Sequence, residues 1–71
     1  MRKEDAHAAL RAAALHEQKV TVVCRRPESA KPITVTGYVE TGPEDFDVHN
    51  WETREHLVYT RYEDVLEVRT A

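Results

Sequence analysis

The sequence predicts a mainly β fold in which one N-terminal α-helix precedes a small, bent, five-stranded antiparallel barrel. Three observations predict it: residues 3–18 are rich in helix formers and lack proline and glycine, the apolar period becomes two from residue 19, and turn residues recur at short spacing afterwards. The chain has 71 residues, of which 41% are apolar, and these can fill only one core. We therefore expect a single domain, 1–71, with the helix at about 3–18 and the barrel at about 19–70.

The predicted helix has two weakly apolar faces. Its first turn carries acidic side chains, which the helix dipole favours at that end. At about 100° per residue, one stripe contains the larger part of the apolar surface and the opposite stripe contains the rest. The first stripe consists of Ala6, Leu10, Ala13 and Ala14, and the second of Ala8, Ala12 and Leu15. We expect one stripe to cover the barrel; the other either meets a partner or reflects the helix propensity of alanine.

Alternating apolar residues and turn signals predict the five strands. They cover residues 20–25, 33–40, 46–51, 56–60 and 65–68. Gly37 lies on the inward face of the second strand, where a missing side chain permits the sharp bend that small barrels need. For the third and fourth strands we expect a hairpin in which Val48 faces Leu57 and Phe46 faces Tyr59. That register places all four side chains in the core.

Composition and motifs exclude several classes of protein. Cys24 is the only cysteine, so a disulfide scaffold is excluded and a reducing compartment is indicated. No stretch has the length of a membrane span and no apolar signal core follows the N-terminus, so a cytoplasmic protein without a membrane partner is expected. The sequence has no nucleophile elbow, phosphate loop or paired cysteines, and Cys24 is predicted to point inward. We therefore expect neither an enzyme nor a cofactor.

The order of helix, bent strand pair, hairpin and final strand resembles the Sm-like fold, an SH3-like barrel, and specifically its bacterial Hfq type. Gly37 within Thr36-Gly37-Tyr38-Val39 resembles the bend glycine of the first Sm motif. Val58-Tyr59, leading into the last strand, resembles the second motif. The chain departs from the Hfq type after the motif tyrosine, where Arg61 is the only basic residue in place of Lys-His. YolD-like proteins and Rho-inhibitor-type barrels resemble it as well.

The resemblance implies an RNA-binding post-transcriptional regulator that forms a ring. In such a ring, strand four of one subunit pairs with strand five of the next, which suits a small core without a disulfide. Basic residues cluster in the first loop, and Trp51 lies beside Arg54 on the outer face of the hairpin, where the pair is a candidate stacking platform for single-stranded bases. Trp51 could instead close the end of the barrel. The candidate RNA-binding residues are Arg25, Arg26, Lys31, Trp51, Arg54 and Arg61.

A second hypothesis follows from the net charge of −3, which disfavours a protein that coats nucleic acid. The acidic residues predict a rim that binds a basic partner protein, and the chain would then be an adaptor or inhibitor. The candidate residues of this rim are Glu44, Asp45, Asp47, Glu63 and Asp64. His49, His56 and Asp47 are also side chains of the types that zinc accepts, but surface histidines are usually only solvated, so no metal site is expected.

Overall fold

Five antiparallel strands and one helix make up the fold of residues 1–70, which are the residues that the computed structural model describes. The helix and strands are α1 (Lys3–Leu15), β1 (Val20–Cys24), β2 (Ile33–Thr41), β3 (Asp45–His49), β4 (His56–Arg61) and β5 (Val65–Thr70), and a 3-10 turn at Tyr62–Asp64 joins the last two. The strands form one open sheet in the order β4-β3-β2-β1-β5. The prediction of a mainly β chain with one N-terminal helix and five antiparallel strands is confirmed.

Helix α1 packs one face onto the sheet, as its sequence predicts. Ala6 and Leu10 are fully buried and Ala13 nearly so, whereas Leu15 on the opposite face is 77% exposed. The expected end at residue 18 is wrong, because the helix ends at Leu15. Glu17 adopts a left-handed φ of 51°, and the amide of Gln18 donates to the carbonyl of Ala13 at 2.9 Å, which closes a Schellman motif. Among residues 1–70, no helix is long and apolar enough to cross a membrane.

Strand β2 changes partners at Gly37. Residues Ile33–Gly37 pair with β1, and residues Tyr38–Thr41 pair with β3. Gly37 is buried, and a Cβ atom there would lie 1.9 Å from the carbonyl oxygen of His49. The inward position predicted for Gly37 is therefore confirmed, and the reason for glycine is the close approach of the β3 backbone.

The β3–β4 hairpin has a different register from the predicted one. Val48 pairs with Val58 and Phe46 pairs with Thr60, while Leu57 and Tyr59 are 46% and 53% exposed. The prediction that Leu57 and Tyr59 lie in the core is wrong. Since His49 pairs with His56, Leu57 is an extra residue on β4. This bulge shifts the pairing by one residue, and such a shift moves each following side chain to the other face of the sheet. Val58, expected on the outer face, is consequently buried.

Tyr62 connects the 3-10 turn to the core. Tyr62 is 3% exposed, and its ring stacks on that of His7, with centroids 4.4 Å apart, and on that of Phe46, with centroids 5.3 Å apart. Its hydroxyl donates a hydrogen bond to the carbonyl oxygen of Gly42 at 2.7 Å. Burial raises the pKa of the Tyr62 phenol above its ordinary value, and the charge of Asp45 adds to the rise. The folded protein therefore favours the neutral phenol.

This raised pKa predicts a loss of stability at alkaline pH. Below the unfolded-state pKa, which is about 10, both the folded and the unfolded protein hold the proton. The contribution of Tyr62 to the free energy of unfolding is then fully present. Above that pKa the unfolded state ionises first, so the free energy of unfolding falls as pH rises through the folded-state pKa. We expect Tyr62→Phe to lose about 1 kcal/mol at pH 7 with its hydrogen bond, and to lose less further stability between pH 9 and 11 than the parent protein. Urea unfolding across this pH range measures both effects; parallel pH curves for the two proteins would contradict the assignment.

Candidate functional site

Three arginines from separate segments of the chain surround one surface recess. Arg25 and Arg26 follow β1, and Arg61 ends β4. Together with Tyr59 and Thr60 they line a cavity of about 240 Å³, which we call the arginine recess. The backbone brings the segments together, because the amide of Arg25 donates to the carbonyl of Asp64 at 2.7 Å. A guanidinium N–H of Arg26 also donates to the carbonyl of Tyr59 at 3.3 Å.

Carboxylates offset only part of the positive charge of the arginine recess. Arg26 lies 3.5 Å from a carboxylate oxygen of Glu28, and Arg61 lies 3.4 Å from one of Glu63. The Arg61–Glu63 pair is largely exposed to solvent and is therefore weak, whereas the Arg26 side chain is only 29% exposed. Arg25 is exposed and has no ion pair among residues 1–70. Asp64 also lines the recess, and Arg25 is the arginine that is left free to bind an anionic ligand.

Tyr59 presents a fixed aromatic ring beside these arginines. Its hydroxyl donates to Oδ2 of Asp45 on the neighbouring strand, and this hydrogen bond raises the pKa of the phenol. The ring is anchored at its polar end while 53% of the residue stays exposed. The sequence predicts Tyr59 in the core, and nothing in it indicates the bulge at Leu57 that turns Tyr59 outward. Lys31, a predicted member of the basic set, is exposed in the β1–β2 loop and does not line the recess.

A second candidate site lies at the β3–β4 turn. The guanidinium carbon of Arg54 is 4.5 Å from the ring centroid of Tyr38 and 5.4 Å from that of Trp51. The ring of His49 stacks on Tyr38, with centroids 4.9 Å apart, and meets His56 edge to face at 5.3 Å. The structure therefore brings Trp51 and Arg54 together, as the sequence predicts, and adds Tyr38 as a third planar group.

The turn itself holds Arg54 over the rings. Arg54 has a left-handed φ of 67°, and its amide donates to the carbonyl of Asn50 at 2.9 Å. The side-chain oxygen of Asn50 accepts hydrogen bonds from the amides of Glu52 and Thr53, each at 2.9 Å. Residues other than glycine, asparagine, aspartate and histidine rarely adopt this conformation, and the contacts of the Arg54 side chain with the two rings favour it here. A cavity of about 610 Å³ lies between Arg54 with its rings and the end of α1, and we call it the aromatic cleft.

Five of the six candidate RNA-binding residues fall into two groups rather than one, and Lys31 belongs to neither. The arginine recess lies at the Arg61 end of β4, and the aromatic cleft lies near the His56 end. A strand rises about 3.3 Å per residue, so the five steps along β4 separate these ends by about 17 Å. One continuous patch that includes both Trp51 and Arg61 is therefore not formed within one chain.

The predicted acidic residues are spread over the surface, and several already contact donors. Asp45 accepts from Tyr59, and Oδ1 of Asp47 lies 2.7 Å from Nε2 of His56. Glu44 and Glu63 line a small recess of about 140 Å³ near the start of α1, and Asp64 lines the arginine recess. Within residues 1–70, no three histidine, cysteine or acidic side chains are grouped to hold a metal ion. Cys24 points into the core, where its sulfur lies 3.9 Å from the hydroxyl of Thr60.

Comparison of the chain with known protein families, curated proteins and solved structures finds no match. Function is consequently inferred from the geometry and charge of the arginine recess and the aromatic cleft. Of these two, the arginine recess combines three arginines and two carboxylates with the exposed residue Tyr59, and the aromatic cleft combines two aromatic rings with one arginine and two carboxylates.

Proposed function

We propose that this protein is a small Sm-like, SH3-like barrel module that binds single-stranded RNA and acts as an oligomeric post-transcriptional regulator. The convergence of Arg25, Arg26 and Arg61 beside the exposed ring of Tyr59 carries the proposal. Guanidinium groups bind phosphate oxygens, often through two hydrogen bonds, and an exposed ring stacks on an unpaired base. The recess therefore offers both contacts that single-stranded RNA requires.

The two free edges of the sheet support an oligomer. Within residues 1–70, strands β4 and β5 each pair with a single neighbouring strand, and each exposes at least one large apolar side chain. Leu57 lies on β4 and Leu66, which is 39% exposed, lies on β5. Pairing of β4 with β5 of a second chain would satisfy free backbone groups and cover these side chains. In such a ring, the recess at the end of β4 would repeat once per subunit, so a single RNA strand could bind several copies.

Salt dependence and charge reversal test the RNA proposal. Three phosphate contacts predict a slope of about −2 for the logarithm of the binding constant against that of the salt concentration. Each charged hydrogen bond contributes about 1.5–3 kcal/mol, so the double variant Arg25→Glu, Arg26→Glu should bind a short oligonucleotide about 100-fold more weakly or worse. Fluorescence anisotropy of a labelled, unstructured RNA measures both quantities.

Arg11→Glu is the matched control, because Arg11 is exposed on α1 and outside the recess. At a salt concentration that screens long-range electrostatic effects, we expect the RNA affinity of Arg11→Glu to be within about twofold of that of the parent protein. If Arg11→Glu weakens binding as much as the recess variants do, the recess is not the site. Light scattering tests the ring separately: a hexamer or heptamer agrees with edge pairing, and a monomer contradicts it.

The exposed outer face of α1 favours a second candidate function, a protein-binding adaptor. Leu15 is 77% exposed there, and Ala8 and Ala12 are exposed beside it. A contact through this apolar face would lose little affinity as salt rises, whereas RNA binding to the arginine recess would weaken steeply. A partner complex that resists salt and is broken by Leu15→Glu, but not by Arg25→Glu, would favour the adaptor.

A further inference from the structure

The aromatic cleft has a lining that distinguishes it from the arginine recess. The rings of Tyr38 and Trp51 form one side, and small alanines near the end of α1 form another. The charged groups in the lining are Arg54, Glu17 and Glu40. The cleft therefore combines stacking surface with one cation and two carboxylates in a single cavity.

Arg54 is held in position without an ion pair. Its guanidinium contacts two aromatic rings, and among residues 1–70 it forms no ion pair with a carboxylate. Contact with rings uses the faces of a planar guanidinium and leaves its N–H groups available at the edge. Glu17 likewise has no ion pair within this range, and Glu40 lies 3.6 Å from the ring nitrogen of His49. Donors and acceptors thus remain free on the walls of one cleft.

The mixture of charges selects the kind of ligand. A phosphate group would meet one arginine and two carboxylates here, whereas the arginine recess offers three arginines and two carboxylates. A cationic side chain would approach Arg54. A neutral planar ring that carries acceptors on one edge and donors on another meets neither penalty. Its faces would stack on Trp51, and its edges would bond to the guanidinium and to a carboxylate.

We propose that the aromatic cleft binds a guanine base of single-stranded RNA. Guanine presents the O6 and N7 acceptors together, which match the paired N–H donors of Arg54. Its N1–H and N2–H donors lie on another edge and match the two oxygens of a carboxylate, which Glu17 or Glu40 supplies. The proposal deepens the RNA-binding function, on which it rests, by assigning a base preference to a cleft about 17 Å from the arginine recess.

The other bases fit the same walls less well. Adenine offers N7 beside an amino donor, so a guanidinium loses one of its two bonds and meets a donor. Uracil has carbonyl acceptors but only one ring N–H for a carboxylate, and cytosine places its amino donor beside an acceptor nitrogen. A correctly matched two-bond pair discriminates against a wrong base by about 1–3 kcal/mol, which is about 5-fold to 150-fold in affinity.

Nucleosides test the cleft directly, because they carry no phosphate for the arginine recess. The chain has a single tryptophan, so the indole N–H of Trp51 gives one identifiable signal in a nitrogen–proton correlation spectrum. Titration with guanosine should shift this signal saturably, at a concentration about tenfold or more below that needed for adenosine, cytidine or uridine. Equal titration curves for the four nucleosides, or no shift up to the solubility limit, would overturn the proposal.

Conservative variants separate recognition from folding. Arg54→Lys keeps the charge but removes the paired donors, so the preference for guanosine should fall to about twofold or less while the spectrum stays folded. The double variant Glu17→Gln, Glu40→Gln should weaken guanosine binding about fivefold or more, because charged acceptors are lost. If both variants keep the parent preference, the assigned groups do not read the base.

Two further titrations separate the guanine site from the arginine recess and from a cage for a cation. The double variant Arg25→Glu, Arg26→Glu should lose oligonucleotide binding and keep the guanosine shift, so the two sites fail independently. If the parent protein shows the guanosine shift but no oligonucleotide binding at all, the proposed RNA function fails and the cleft is a nucleoside site.

N-acetyl-arginine amide should leave the Trp51 signal in place; a stronger response to it than to guanosine would identify the cleft as a cation cage and overturn the proposal.

Discussion

Replacement of Gly37 with alanine is expected to unfold the protein. The added Cβ atom would lie 1.9 Å from the carbonyl oxygen of His49 and 3.3 Å from a methyl group of Val48. The first of these atoms belongs to the backbone of β3. The steric clash can therefore be removed only if the two strands separate at the point where β2 changes partners. A chain of this length has a total stability of about 4–10 kcal/mol. Loss of one strand junction in the centre of the sheet would remove most of it.

Circular dichroism and urea unfolding measure this effect. Gly42→Ala is the matched control, because a Cβ atom at the half-buried Gly42 would lie 3.2 Å from the nearest oxygens of Asp45, a much milder approach. We expect Gly42→Ala to remain folded with a loss of about 1 kcal/mol or less. A folded Gly37→Ala variant with nearly the parent midpoint would show that the β2 and β3 backbones do not approach each other closely at this position.

Aspartate substitutions at neighbouring positions of β4 should have opposite outcomes. Val58 is 8% exposed and faces Val48, so Val58→Asp places a carboxylate in the core without a partner. Burial of an unpaired charge costs several kcal/mol, and we expect that variant to be unfolded at 25 °C. Leu57 is 46% exposed at the bulge, so Leu57→Asp should stay folded with a loss of about 1 kcal/mol or less.

The pair also tests the register of the β3–β4 hairpin. If Leu57→Asp unfolds the protein and Val58→Asp does not, the register predicted from the sequence is correct and the bulge is absent. Since Leu57 lies on a free edge strand, Leu57→Asp has a second expected effect: it should lower the solution mass if β4 pairs with β5 of another chain. Folding and assembly are therefore read separately, by circular dichroism and by light scattering.

Much of the fold could be predicted from the sequence because local patterns specify it. The apolar stripe of α1 and the alternation in β1 each follow from one repeating period, and both match the observed burial. The inward position of Gly37 follows from the same alternation. These elements need no information about which residues face each other across strands.

The register of β4 could not be predicted in this way. Leu57, Val58 and Tyr59 are all apolar or aromatic, so both faces of the strand are compatible with the core, and a bulge at Leu57 decides between them. The end of α1 was missed for a similar reason, since Glu17 adopts a left-handed conformation without the glycine that usually announces it.

The candidate sites were predicted in part. Charge alone marks Arg25, Arg26 and Arg61 in the sequence. Their convergence depends on the pairing of β1 with β5 and on the 3-10 turn, which are contacts between distant segments. Trp51 and Arg54 are close along the chain, so their contact was predictable. Tyr38 reaches them through the pairing of β2 with β3. In the sequence, the alternation of β2 indicates only that the Tyr38 side chain points outward.

The division of β2 between two neighbours has a consequence for how the molecule opens. Its first half belongs to the ladder with β1 and its second half to the ladder with β3, and no loop separates the halves. Melting of either ladder therefore releases a strand on which the other depends, so partial opening should be rare. Slowly exchanging amides in β1 and in β3 should then report one common opening free energy, and the chain should behave as a single cooperative unit in spite of its small core.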